Sequence, residues 1–102
     1  MTYPDKYKAD ITLAIDILKN EGCSEVYLFG SITNGSSKDE SDIDIAIKGL
    51  PKARYFSVYG KLMSTLDHNI DLVMLDIESH FTKHLIEKGN LQRVAWRNNK
   101  QN

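Results

Sequence analysis

Apolar residues recur along this chain with two periods, and the alternation between them predicts its elements. Over residues 5–21, Tyr7, Ile11, Ala14, Ile15 and Leu18 fall at three- and four-residue steps. That spacing predicts an amphipathic helix entered after Pro4 and closed by Gly22, with Lys6, Lys8, Asp10, Asp16 and Lys19 on a solvated face. From Glu25 to Phe29 the pattern becomes a short apolar run in which Tyr27 and Phe29 alternate with Val26 and Leu28. A strand covered on both faces reads this way. A second run, Ile43-Asp44-Ile45-Ala46-Ile47, ends at Gly49-Leu50-Pro51. A second helix is predicted from Ala53 to Leu66, with Tyr55, Val58, Tyr59, Leu62, Met63 and Leu66 as its core-facing stripe.

A third strand is predicted from Ile70 to Leu75, with Asp76 capping a last helix, Ile77 to Lys88, that buries Phe81 together with Leu85, with Ile86 close by, and ends at Gly89. Leu91 to Trp96 could add a short edge strand or a turn, and Arg97–Asn102 is a polar tail. Helices and strands in this order predict an α/β (α+β) fold: a small mixed β-sheet with flanking helices, the helices on one face and the acidic residues on the other.

Composition narrows this further. The chain has 102 residues, room for one domain, with a core over about residues 10–96. A core of this size can hold a nucleotide and metal ions but leaves little surface to enclose an acceptor. The formal net charge is -1, so the global basic field that draws proteins to nucleic acid is absent and nucleic acid is disfavoured as a direct ligand. Cys23 is the only cysteine, which precludes an internal disulfide, fits a reducing cytoplasmic setting and reads as a small packing residue. The N-terminus lacks the apolar core of a signal peptide, and no apolar run approaches the roughly 18 residues of a membrane span.

The candidate chemistry concentrates between residues 30 and 44, which read G-S-I-T-N-G-S-S-K-D-E-S-D-I-D. Gly30-Ser31 at the end of a strand lets the backbone turn sharply and aim its amides and one hydroxyl at an anion such as a phosphate. Gly35, Ser36 and Ser37 make the following loop adaptable. Asp42 and Asp44, two apart on an extended chain, share one face about 6.6 Å apart at their backbones, while the intervening isoleucines face the core. Carboxylates so placed can converge on two divalent ions, and Mg²⁺ suits oxygen ligands shared with phosphates. Asp71 opens the third strand, where a buried acid requires a cationic neighbour. His80 and His84, four apart, are the alternative metal pair. They lack the further ligands of a zinc site.

The Gly30-Ser31 turn, the ten-residue gap, Asp42-x-Asp44 and a later strand carrying Asp71 together resemble the minimal nucleotidyltransferase (MNT) family of the DNA polymerase β superfamily, whose members often serve as antitoxins to HEPN ribonuclease toxins. The resemblance implies a polymerase β-like fold. It implies that Gly30 and Ser31 hold phosphates, that Asp42 and Asp44 ligate two Mg²⁺ ions, and that Asp71 completes the metal site and helps deprotonate an acceptor hydroxyl. By the same resemblance the donor is ATP, the acceptor is a tyrosine of a cognate HEPN-domain toxin, and the two proteins form a hetero-oligomer. Relatives often carry arginine after Gly-Ser; this chain has Ile32, Thr33 and Asn34 there, with Lys38 the only base before Asp42. Two alternatives stay open. One is a catalytically weak antitoxin that acts by binding; the other is transfer to a small molecule or an RNA end.

Overall fold

The computed structural model describes residues 5–34, 42–89 and 91–96. The expectations for Pro4, for the Gly35–Lys38 loop and for the polar tail lie outside these residues. A 3₁₀ turn at Asp5–Tyr7 leads into α1 (Lys8–Asn20), followed by β1 (Glu25–Phe29), the single turn α2 (Ser31–Asn34) and β2 (Ile43–Lys48). A second 3₁₀ turn at Lys52–Arg54 opens α3 (Tyr55–Thr65), and β3 (Ile70–Met74), α4 (His80–Lys88) and β4 (Gln92–Trp96) complete the chain. The segment from Leu91, open between strand and turn in the sequence, is a strand.

α1 ends where Gly22 takes φ 110°, with Cys23 N–H donating to Leu18 C=O at 3.0 Å and Gly22 N–H to Lys19 C=O at 3.1 Å. This is the Schellman arrangement, in which the residue after the cap must enter the left-handed region that glycine tolerates.

The four strands order β3-β2-β1-β4. β1 runs antiparallel to both β2 and β4, while β2 and β3 are parallel and are joined through α3. The sheet is therefore mixed. On one face Val26, Leu28, Ile45, Ile47, Ile70 and Leu72 pack with Ile11, Ala14 and Leu18 of α1 and Val58 and Leu62 of α3. On the other face Phe29, Ala46, Leu75 and Leu85 form a smaller cluster. α4 thus approaches the second face, so the helices do not all lie on one side.

Several expectations at the helices change. Asp10 is 4% exposed rather than solvated. Its carboxylate accepts from the backbone N–H of Asp67 (3.1 Å) and His68 (2.8 Å) and lies 2.7 Å from His68 Nδ1. α1 crosses the α3–β3 turn at this point, and the amides of that turn need an acceptor. His68 is thereby committed to Asp10, with its ring tilted against Tyr7 at 4.6 Å.

Asp76 does not cap α4. Ser79 does, its Oγ accepting from Thr82 N–H while Thr82 Oγ1 accepts from Ser79 N–H, both at 3.1 Å. This reciprocal box starts the helix at His80 and leaves Asp76 to accept from Gly49 N–H at 3.0 Å. α4 touches the sheet through the narrow stripe of Thr82 and Leu85, so Phe81 (52% exposed) and Ile86 (56%) face outward. Met63 of α3 is likewise exposed, beyond the reach of the core.

Tyr55 and Tyr59 pack at the core's margin and close the outer edge of β3. Their hydroxyls donate to Leu72 C=O and Ile70 C=O, and Ile77 N–H donates to Met74 C=O. The edge carbonyls of a strand that would otherwise invite another chain are thus engaged within the molecule.

Candidate functional site

The sheet register builds the acidic cluster. Phe29, the last residue of β1, pairs with Asp44, the second residue of β2, and Asp44 pairs with Asp71, the second residue of β3. Cross-strand partners point to the same face. Asp44 and Asp71 therefore stand side by side beyond Phe29, at the end of the smaller core cluster. Asp42 immediately precedes β2, and Ile43 N–H donates to Asn69 C=O at 2.9 Å, which fixes the start of β2 against the start of β3. Asp42 and Asp71 are exposed, whereas Asp44 is half-buried.

Burial, followed by the charges of Asp71 and Asp42, pushes the Asp44 carboxyl up to about 6. Among the described residues no positive charge offsets this shift, which burial and like charge set. Tyr55 adjoins the cluster from α3: burial, then Tyr59 and Asp71, raise its phenol above the usual value.

Gly30 closes the other side. Its φ of 77° lies in the left-handed region, and a Cβ there would overlap Asp44 Oδ2 and lie 3.1 Å from Cγ. The backbone turn and the acidic side chain are in direct apposition, an approach that only glycine permits. Thr33 secures the turn, donating through both N–H (3.1 Å) and Oγ1 (2.9 Å) to Gly30 C=O, while Ile32 anchors α2 in the main core. Of Ser31 the backbone alone is described, as the first residue of α2.

The residues proposed from the sequence for one site, Gly30, Ser31, Asp42, Asp44 and Asp71, thus converge at one end of the sheet. Thr33 and Tyr55 were not read as members of its surroundings. The i, i+4 pairing of Tyr55 with Tyr59 was legible, but their hydroxyl partners on β3 depend on the fold.

Among the described residues, no three His, Cys, Asp or Glu side chains gather tightly enough to enclose a metal ion by themselves. Mg²⁺ binds through one or two carboxylates and completes its shell with water and substrate phosphates. A mutually repelling carboxylate cluster, exposed at Asp42 and Asp71 and half-buried at Asp44, faces a glycine turn and has the donor chemistry for such an ion. His80 and His84 are exposed on α4 and belong to no such group among the described residues.

Comparison with known proteins bears on the fold and the family. Among solved structures, a toxin–antitoxin complex with AMP-PNP is similar at 27% identity and a TM-score of 0.69, covering 90% of this chain and 75% of that one. A tri-AMPylated HEPN toxin in complex with MNT antitoxin from Shewanella oneidensis is similar at 24% identity and a TM-score of 0.65, over 88% of this chain and 72% of that one. A protein described as a minimal nucleotidyltransferase shares the fold at 15% identity and a TM-score of 0.66, over 89% and 93%. No curated protein matches by sequence. The profile of the family described as "Polymerase beta, Nucleotidyltransferase" matches residues 13–92, a span that holds the glycine turn and all three aspartates, and the chain belongs to that family.

Proposed function

We propose that this chain is an Mg²⁺-dependent nucleotidyltransferase antitoxin that transfers AMP from ATP to a tyrosine hydroxyl of a cognate HEPN toxin, with which it forms a hetero-oligomer. The observation that carries this reading is the pairing of Asp44 with Asp71 across β2 and β3, with the Gly30 turn packed against Asp44. The similarity to toxin–antitoxin complexes, one with AMP-PNP and another with a tri-AMPylated toxin, supports the choice of donor and acceptor.

Asp42 and Asp44 would hold the divalent ions, with Asp71 completing the set. Bound there, the ions would neutralise charge on the triphosphate and on the oxygens entering and leaving phosphorus. Gly30 and Ser31 would receive the β- and γ-phosphates on the opposite side of Asp44. Asp71 would accept the proton of the acceptor hydroxyl as its oxygen bonds to the α-phosphorus. The bond from that phosphorus to the bridging oxygen breaks, and pyrophosphate leaves. Positioning and charge compensation supply most of the acceleration in such a transfer.

Incubating the protein with Mg²⁺, ATP and a HEPN toxin, and weighing the toxin by intact mass spectrometry, tests the reading. Addition of one or more AMP units by the wild type, absent with the Asp42→Ala, Asp44→Ala variant, supports it. A second reading, neutralisation by contact with a weak site, is favoured by α2, which contributes no cationic side chain beside the glycine turn. An unmodified toxin that remains bound and inhibited by both proteins would select that second reading.

A further inference from the structure

A groove of about 460 Å³ runs along the free edge of β3, between the start of α3 and the start of α4. Tyr55, Phe56, Met74, Ile77 and Phe81 line it, and Lys52 is the single charged residue of its lining. Phe56 is 83% exposed and Phe81 52%, an unusual display of aromatic surface on so small a chain. The edge carbonyls behind them are already engaged by Tyr55, Tyr59 and Ile77. The groove therefore suits side chains rather than an added strand.

Its position relative to the acidic cluster bears on what it could hold. Across the sheet the order is Gly30 at the end of β1, Asp44 on β2, Asp71 on β3, and then the groove, whose lining includes Leu72 and Val73 directly after Asp71. Displacement at phosphorus places the attacking and leaving oxygens roughly in line. With pyrophosphate at Gly30 and the α-phosphate at Asp44, the attacking hydroxyl comes from the Asp71 side, and the rest of the acceptor extends beyond the edge of β3. An apolar lining with one lysine, headed by carboxylates, fits an apolar segment free of acidic residues near its hydroxyl.

We propose that this groove is the acceptor-docking site: a polypeptide segment seats an aromatic or aliphatic side chain between Phe56 and Phe81 and so delivers its hydroxyl to Asp71. The inference rests on the transferase reading above. The hydroxyl oxygen bonds to the α-phosphorus of ATP, pyrophosphate departs, and the hydroxyl proton passes to Asp71.

The test compares the wild type with a Phe56→Ser, Phe81→Ser variant, whose replaced side chains are exposed enough to leave the fold intact, as thermal melting verifies. A HEPN toxin serves as acceptor, ATP affinity is measured separately, and toxin binding is measured without nucleotide. The variant is expected to raise KM for the toxin by about 10-fold or more, with kcat within about 2-fold and ATP affinity unchanged. Equal KM in the two proteins overturns the groove and leaves the transferase standing. If the wild type transfers no AMP, the transferase reading fails. Toxin binding then decides the groove: weakening in the variant retains it as the docking surface, and equal binding rejects it. A wild-type dimer that the variant converts to monomer assigns the groove to a second copy of this chain and overturns the acceptor assignment.

Discussion

Replacing Asp44 with asparagine should stabilise the metal-free protein, because this position holds a charge that the fold itself opposes. Burial and the charges of Asp71 and Asp42 raise the Asp44 carboxyl from 3.8 to about 6. At about 1.36 kcal/mol per decade of proton affinity, that separation corresponds to about 3 kcal/mol at most. Water reaching the half-open site screens this to about 1–1.5 kcal/mol. The sign follows from linkage: the folded protein binds this proton more tightly than the unfolded chain does. The contribution is therefore fully present below pH 3.8 and is lost as pH rises through about 6.

Urea denaturation in EDTA at pH 7.5 should show the Asp44→Asn variant more stable than the wild type by about 1–1.5 kcal/mol, and the advantage should shrink as pH falls below about 6 and vanish below 3.8. Adding Mg²⁺ and ATP should reverse the order, since a ligand at 100 times its Kd stabilises the protein that binds it by about 2.7 kcal/mol. A variant less stable than the wild type at pH 7.5 in EDTA, or an advantage that does not change with pH, would refute the reasoning.

Gly30→Ala should cost about 1–3 kcal/mol from the left-handed backbone and displace Asp44, so denaturation and Mg²⁺-dependent ATP binding should both deteriorate; unchanged ATP binding would show the apposition to be dispensable. Asp10→Ala should destabilise by about 1.5–3 kcal/mol, because the N–H groups of Asp67 and His68 lose a charged acceptor. Burial raises the Asp10 carboxyl, but the hydrogen bonds from His68 and from the two amides outweigh it and leave the group lowered from 3.8. Its contribution should thus persist above pH 3.8 and fade as pH falls through the lowered value, a decline that a wild-type acid titration should show and the variant should lack. Removing both edge-capping hydroxyls with Tyr55→Phe and Tyr59→Phe should cost about 0.5–1.5 kcal/mol each and speed amide exchange along β3; exchange at the wild-type rate would show that the hydroxyls do not protect the edge.

The extent of the fold that was legible follows from which interactions are local. Strand and helix periods over Val26–Phe29, Ile43–Ile47, Ile11–Leu18 and Val58–Leu62 record burial against a layer, and burial selects residues at every second or every third to fourth position. The Gly30-Ser31 and Asp42-x-Asp44 pattern was legible for a related reason, since its spacing is set by one turn and one extended strand. Asp71 lies too far along the chain for spacing alone to join it to Asp44, and the resemblance to a known family supplied that link.

The polar partnerships were not legible. Asp10 looks like any solvated helix charge until α1 is laid across the Asp67–His68 turn. Asp76 and Ser79 are both plausible caps until Thr82 reciprocates with Ser79 and Gly49 claims Asp76. Phe81 and Ile86 follow the helical spacing of buried residues, yet α4 meets the sheet along a stripe too narrow to cover them. By itself the sequence determined the kind and approximate place of α1, β1, β2, α3, β3 and α4 and the residues at the glycine turn and acidic strand, because periodicity and turn chemistry act over a few residues. Tertiary structure alone decided the Asp44–Asp71 register, the contact of Gly30 with Asp44, and the open groove beside β3. Each depends on the distance between segments far apart in the chain, which no local pattern records.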